Sequence, residues 1–165
     1  MKRVILSIIL ASQLPLISCQ SKPILPNSQV AGVKRVVSGQ SLDVVVGGSL
    51  YRLRLEGIKI PPSLPPSQKK EAQQFLFLLL TDNSRHTLDS VRVTVEADFN
   101  HKEKFGRGYV WYNGQMLNEK MLEEGWAVVS LDYTLGQYDQ LLLNAQNYAR
   151  VMEKGIWDTG FSSQR

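Results

Sequence analysis

Short runs of strictly alternating apolar and polar residues, separated by turn-forming pairs, leave this chain few folds to choose from. In residues 50–58, Leu53 and Leu55 alternate with Arg52, Arg54 and Glu56; in 91–96, Val91, Val93 and Val95 alternate with Arg92, Thr94 and Glu96. A period of two sends one set of side chains into a core and the other into water, the pattern of a half-buried strand. Runs at 33–37 and 41–46 come first, and Gly47-Gly48 joins the second run to the third as a hairpin turn. A fifth run, 108–112, ends at Asn113-Gly114, and the polar segment 97–106 before it reads as a loop.

Helical spacing enters late. The proline-rich segment 61–66 cannot be a central strand, because proline lacks a backbone donor. Ser67 is a candidate N-cap for a helix to Leu80, with Ala72, Phe75, Leu76, Leu79 and Leu80 as its buried stripe. A short helix is expected over 117–124 with Gly125 as its stop, then a brief extended piece at 127–129. The last helix is expected over 136–154, with Leu141, Leu142, Ala145, Tyr148, Ala149 and Met152 on its apolar side and Gly155 at its end. The expectation is an α+β chain: a five-stranded, partly open Greek-key barrel of the OB type with three helices.

The N-terminus reads as a targeting segment. Lys2 and Arg3 precede a mostly apolar stretch, 4–17, that is too short for an ordinary spanning helix of about 20 residues. Leu16-Ile17-Ser18-Cys19 resembles the lipobox of bacterial lipoproteins, in which the cysteine thiol is lipidated and becomes the mature N-terminus. The other reading is a plain secretory signal, which usually asks for small residues where Leu16 stands. The expected organisation is a signal peptide at 1–18, a flexible tether at 19–30, one domain at 31–158 and a tail at 159–165. The expected location is the cell envelope, with a lipid anchor on Cys19. Gln20 suggests the outer membrane where there is one, by resemblance only.

The 165 residues carry a net charge of +4, and removing Lys2 and Arg3 leaves 17 basic against 15 acidic residues. That balance is too small to argue for nucleic acid by itself, so the placement of the charges must carry the argument. Cys19 is the single cysteine, which excludes an intramolecular disulfide and a cysteine-based metal site.

Six segments, in order, resemble the staphylococcal nuclease (thermonuclease-like) family across residues 31–158. Val36-Val37-Ser38-Gly39-Gln40-Ser41 stands at the family's Asp-Gly-Asp-Thr turn, and Arg54-Leu55-Glu56-Gly57-Ile58-Lys59-Ile60-Pro61-Pro62 at its R-L-x-G-I-D-T-P-E segment. Phe105-Gly106-Arg107-Gly108 resembles a Y-G-R-G turn, and Asn113-Gly114-Gln115-Met116-Leu117-Asn118 the start of a helix. Gly125-Trp126-Ala127-Val128-Val129 and Lys154-Gly155-Ile156-Trp157 complete the set.

The resemblance implies phosphodiester hydrolysis assisted by Ca²⁺. Two aspartates and a carbonyl would hold the ion, a glutamate would serve as general base, and two arginines would bind phosphate. Carried over position by position, the arginines are Arg54 and Arg107. The aspartates fall on Gln40 and Lys59, the glutamate on Pro62, and the carbonyl donor on Ile60. All three carboxylates are missing, and Gln40, Arg54, Lys59 and Arg107 sum to +3. The leading expectation is a degenerate nuclease that needs no metal and binds phosphate, single-stranded nucleic acid or another polyanion. Lys59, Phe105, Tyr133 and the amides of the Ser38–Ser41 turn would assist, while Leu131 replaces a further family aromatic. Against it stands simple pairing of Arg54 and Arg107 with local acids, Glu56 first. A second hypothesis is an active nuclease with a site rewired around Glu56, Asp43, Glu103 or His101. A third is an OB module for a protein or polysaccharide partner. Trp111, Trp126 and Trp157 read as packing residues.

Overall fold

The structure is a computed structural model, and it describes residues 28–81, 88, 91–130 and 137–158. The first three strands are β1 (Gln29–Ser38), β2 (Ser41–Val46) and β3 (Ser49–Leu55). They form an antiparallel meander with Gly47 and Gly48 at positive φ in the second hairpin. β4 (Ile58–Lys59) and helix α1 (Pro66–Leu80) follow, then β5 (Arg92–Asn100) and β6 (Phe105–Tyr112) as a third hairpin. β7 (Gln115–Met116), α2 (Leu117–Glu123), β8 (Val128–Val129), α3 (Asp139–Val151) and a 3₁₀ turn (Gly155–Trp157) complete the chain.

β1 pairs with both β2 and β5, and β3 pairs in parallel with β6, so β3-β2-β1-β5-β6 closes into a five-stranded mixed barrel. The OB-type barrel with three helices is therefore present, but it is closed where the sequence suggested a partly open one. Closure removes the exposed sheet edges of β3 and β6. Leu42, Val44, Leu53, Leu55, Val93, Val95 and Val110 fill its interior. Ala72, Leu76 and Leu80 of α1, Met121 and Leu122 of α2, and Leu142 of α3 extend the same core.

Several boundaries move for physical reasons. β1 begins at Gln29, inside the span read as tether. The third strand stops at Leu55 because Gly57 takes a φ of 75°, and β4 starts beyond that turn to pair with β8. The segment read as a polar loop, 97–106, is mostly strand. β5 runs on to Asn100, whose side chain accepts the amides of Lys102 and Glu103 in a tight turn. Ser67 is not the cap of α1: the helix starts at Pro66 with Pro65 before it and no side-chain cap bond. Proline at the first helical position needs no donor and already has a helical φ.

α3 is shorter than expected. It buries Leu142, Ala145 and Ala149, whereas Leu141, Tyr148 and Met152 are exposed. Glu153, at a φ of 52°, ends the last turn before Gly155, which opens the 3₁₀ turn instead. The three tryptophans do pack against aromatic or cationic neighbours: Trp126 on Phe75, Trp111 on Tyr138 and Trp157 beneath Arg150.

Candidate nucleic-acid interface

The two arginines come from strands far apart in sequence and meet at the closing seam. Arg54 on β3 and Arg107 on β6 are direct register partners in the parallel pair. Both leave the barrel on its outer face, since Leu53 and Leu55, Gly106 and Gly108 point inward. They line one cleft of about 120 Å³ together with Glu56, Gly57 and Ser130. Arg54 is half-buried and Arg107 exposed. Neither makes an ion pair among the described residues, Glu56 included.

The Gly-Arg-Gly segment is strand, not turn. A Cβ on Gly108 would stand 2.2 Å from the Glu96 carbonyl oxygen, and one on Gly106 2.6 Å from the Phe99 ring. The glycines let β5 approach closely, and the alternation they impose turns Arg107 outward. Phe105, two residues earlier on the same face, has its ring 6.0 Å from the Arg107 guanidinium. Tyr133 and Leu131 lie outside the described residues, as does Cys19.

The substituted positions have structural occupations. The Gln40 side-chain oxygen accepts the Ile60 amide at 2.6 Å, and its backbone carbonyl accepts the Leu55 amide at 2.9 Å. Gln40 thus ties the β1–β2 turn to the segment after β4. Its own amide donates to the Ser38 hydroxyl at 3.3 Å, so the turn is partly satisfied internally. Gly39 fits where a Cβ would lie 2.8 Å from that of Ala72 on α1. Lys59 is half-buried on β4 opposite Val128 and is not on the cleft wall. Pro62 is exposed, and its carbonyl accepts the Lys69 ammonium.

Among the described residues the cleft's charge is therefore +1 from Arg54, Arg107 and Glu56, not the +3 expected with Lys59 included. Ca²⁺ takes six to eight oxygen ligands, about. Among the described residues Glu56 is the one carboxylate on the wall, and the Gln40 oxygen is committed to Ile60, so the described donor set does not fit the ion. Among the described residues no group of three or more His, Cys, Asp or Glu side chains is placed to hold a metal.

The other acids and the base considered from sequence are elsewhere. Asp43 is nine-tenths buried between Arg35 and Arg52 and bonded to both. Glu103 is in the β5–β6 turn, exposed. His101 meets the Tyr51 hydroxyl through Nδ1 and lines a different cleft, with Phe99 and Asp98.

Two contributors escaped sequence reasoning. Ser130 reaches the cleft because its amide donates to the Gly57 carbonyl at 3.0 Å, a long-range pairing with no local signal. Asn118, fully buried, accepts the Val110 amide and donates to the Glu56 and Gly108 carbonyls, holding both arginine-bearing strands. Its place in the Asn-Gly-x-x-x-Asn run marked it as a motif residue, but not as this clamp.

The sequence is similar to those of known proteins. A family model described as "Staphylococcal nuclease homologue" matches residues 52–159. The chain is 31% identical to a thermonuclease of Staphylococcus hyicus over 79% of this chain and 77% of that protein. It is 30% identical to a thermonuclease of Staphylococcus intermedius, over 76% and 74% respectively. An uncharacterized protein of Bacillus anthracis is 31% identical over 81% of this chain and 63% of its own length. With the barrel, its closing seam and two thermonuclease relatives in accord, the chain belongs to the staphylococcal nuclease family.

Proposed function

We propose that this domain holds nucleic acid by its phosphates, through Arg54 and Arg107, without Ca²⁺-dependent cleavage. The observation that carries the reading is the pair of register-matched guanidiniums on one cleft, with no ion pair and a single carboxylate among the described residues. A phosphate there gains charge-assisted hydrogen bonds from two planar forks. Phe105 beside Arg107 supplies a ring for a base to stack on. The catalytic half of the family's chemistry is not supported: Gln40 is tied to Ile60, Lys59 is cationic, and Pro62 cannot take a proton.

The test is single-stranded DNA incubated with the full chain, with Ca²⁺ or with EDTA, scored for binding and for cleavage. Retarded, intact DNA in both conditions is the expected result; Ca²⁺-dependent fragments would refute the reading. A rewired, active nuclease is the second reading, and Glu56 on the wall beside both arginines favours it. Under that reading Glu56 is the general base, and Glu56→Gln removes the cleavage.

We also propose that Cys19 anchors the chain to a membrane of the cell envelope by lipid. The support is the Leu16-Ile17-Ser18-Cys19 run after a short apolar stretch. Several acyl chains make such anchoring stable. Labelled fatty acid should enter the wild type and not Cys19→Ala.

A further inference from the structure

The outer face of the barrel carries a second row of charge parallel to the Arg54–Arg107 row. Arg35, Asp43, Arg52 and Phe105 are successive register partners across β1, β2, β3 and β6. Ser41, Arg54 and Arg107 form the next row, two residues further along β3. Two residues of strand separate the rows by about 7 Å.

Within the second row Asp43 holds its arginines in different ways. Arg35 gives it both Nε and one terminal nitrogen. Arg52 gives it Nε alone, so both of its terminal nitrogens have no hydrogen-bond partner among the described residues. The Asp43 side chain is 10% exposed while that of Arg52 is 43% exposed, so the carboxylate lies beneath and the guanidinium faces outward. A buried carboxylate that grips an arginine by its inner edge pre-orients the outer fork, which lowers the entropy lost when the fork binds an anion.

We propose that Arg52, positioned by Asp43, is a second phosphate-binding group, so that the protein takes a single-stranded oligonucleotide spanning adjacent phosphates rather than a mononucleotide. The inference rests on phosphate binding by Arg54 and Arg107. Phe105, register partner of Arg52 and neighbour of Arg107, adjoins both positions and offers a ring on which the base of the nucleoside that links the two phosphates would stack.

The experiment compares thymidine 5′-monophosphate with hexathymidylate on the full chain, across a salt series. The variants are Arg52→Ala, Arg52→Lys and Arg54→Ala. Arg52→Ala should leave mononucleotide affinity unchanged and lower the salt slope for the hexanucleotide by about 0.7, the share of one phosphate contact on a single strand. Arg52→Lys keeps a partner for Asp43 and so guards the fold. Its ammonium is consumed by that carboxylate and has no second edge, so it should lose the same slope as Arg52→Ala. Arg54→Ala should weaken both ligands. If both Arg52 variants bind the hexanucleotide with wild-type affinity and slope while Arg54→Ala weakens it, the second group does not exist and the first site stands. If wild type binds neither ligand at low salt, the phosphate-binding reading fails and this inference fails with it.

Discussion

Gln40 and Asp43 stand three positions apart around one hairpin, and each polar side chain is committed to the fold. Burial raises the tendency of the Asp43 carboxyl to hold its proton, but hydrogen bonds and charge from Arg52 and Arg35 together outweigh it. The group sits below its ordinary value. A folded pKa below the unfolded one contributes stability that is present above the unfolded pKa and lost as pH falls through the folded one. Asp43→Asn should therefore lower the urea midpoint at pH 7, by the equivalent of about 1–2 kcal/mol, since both arginines remain partly exposed to water. The gap between variant and wild type should close below about pH 4. A gap that persists unchanged at pH 2.5 would mean that Asp43 stabilises by shape rather than charge. At this scale the sequence was informative where an arginine matched a motif position, as with Arg54 and Arg107. It was uninformative about Asp43, because its partners are eight and nine residues away on neighbouring strands.

Between elements, a single side chain does what no strand ladder can. β6, α2 and the turn after β3 meet at Asn118, which has an acceptor for the Val110 amide at 3.0 Å and a donor for the Glu56 carbonyl at 2.8 Å. Asn118→Ala leaves the buried Val110 amide without this partner, at a cost of about 1–3 kcal/mol, and the part-buried Glu56 carbonyl with water as its alternative. Asn118→Asp keeps the acceptor but loses the donor, so it should fall between wild type and alanine at pH 7 only if the new charge finds a second partner. Thermal denaturation of the two variants measures this; wild-type stability in Asn118→Ala would remove the clamp from the account. Element type was readable from periodicity, since alternation at 50–55 and 91–95 gave strands and 3.6-residue spacing at 72–80 gave a helix. The Gly-Arg-Gly segment was not readable in that way. Glycine suggests a turn when only sequence is in view, and here the cause is the carbonyl of Glu96 pressing against Gly108 from the adjacent strand. Leu141, Tyr148 and Met152 were misassigned to the core side of α3 for a related reason: spacing gives a face, but the elements packed against the helix decide how wide that face is.

For the molecule as a whole, the seam between β3 and β6 joins fold to function. It is short, running from Arg52 opposite Phe105 to Leu55 opposite Gly108, and it joins segments on either side of α1. Two guanidiniums with no ion pair among the described residues sit across it as register partners, and like charges directly opposite one another are destabilising; on its other side Arg107 has Asp98 of β5 as register partner. An anion that accepts from both arginines bridges the two strands and offsets the repulsion that Glu56 and Asp98 leave between them. A ligand that binds only the folded state stabilises it by RT ln(1 + [L]/Kd), about 2.7 kcal/mol at a hundredfold excess over Kd. For a domain of this size that corresponds to a rise in melting temperature on the order of 10 °C. Hexathymidylate should produce such a rise in wild type. Arg54→Ala and Arg107→Ala should each melt close to wild type without ligand, because the lost repulsion is offset by the cation lost beside Glu56 and Asp98, and should respond weakly to it. Ca²⁺ added alone should leave the melting temperature unchanged, since among the described residues the wall offers Glu56 as its one carboxylate. A melting temperature that rises with Ca²⁺ and not with the oligonucleotide would reverse the assignment of the cleft from an anion site to a metal site.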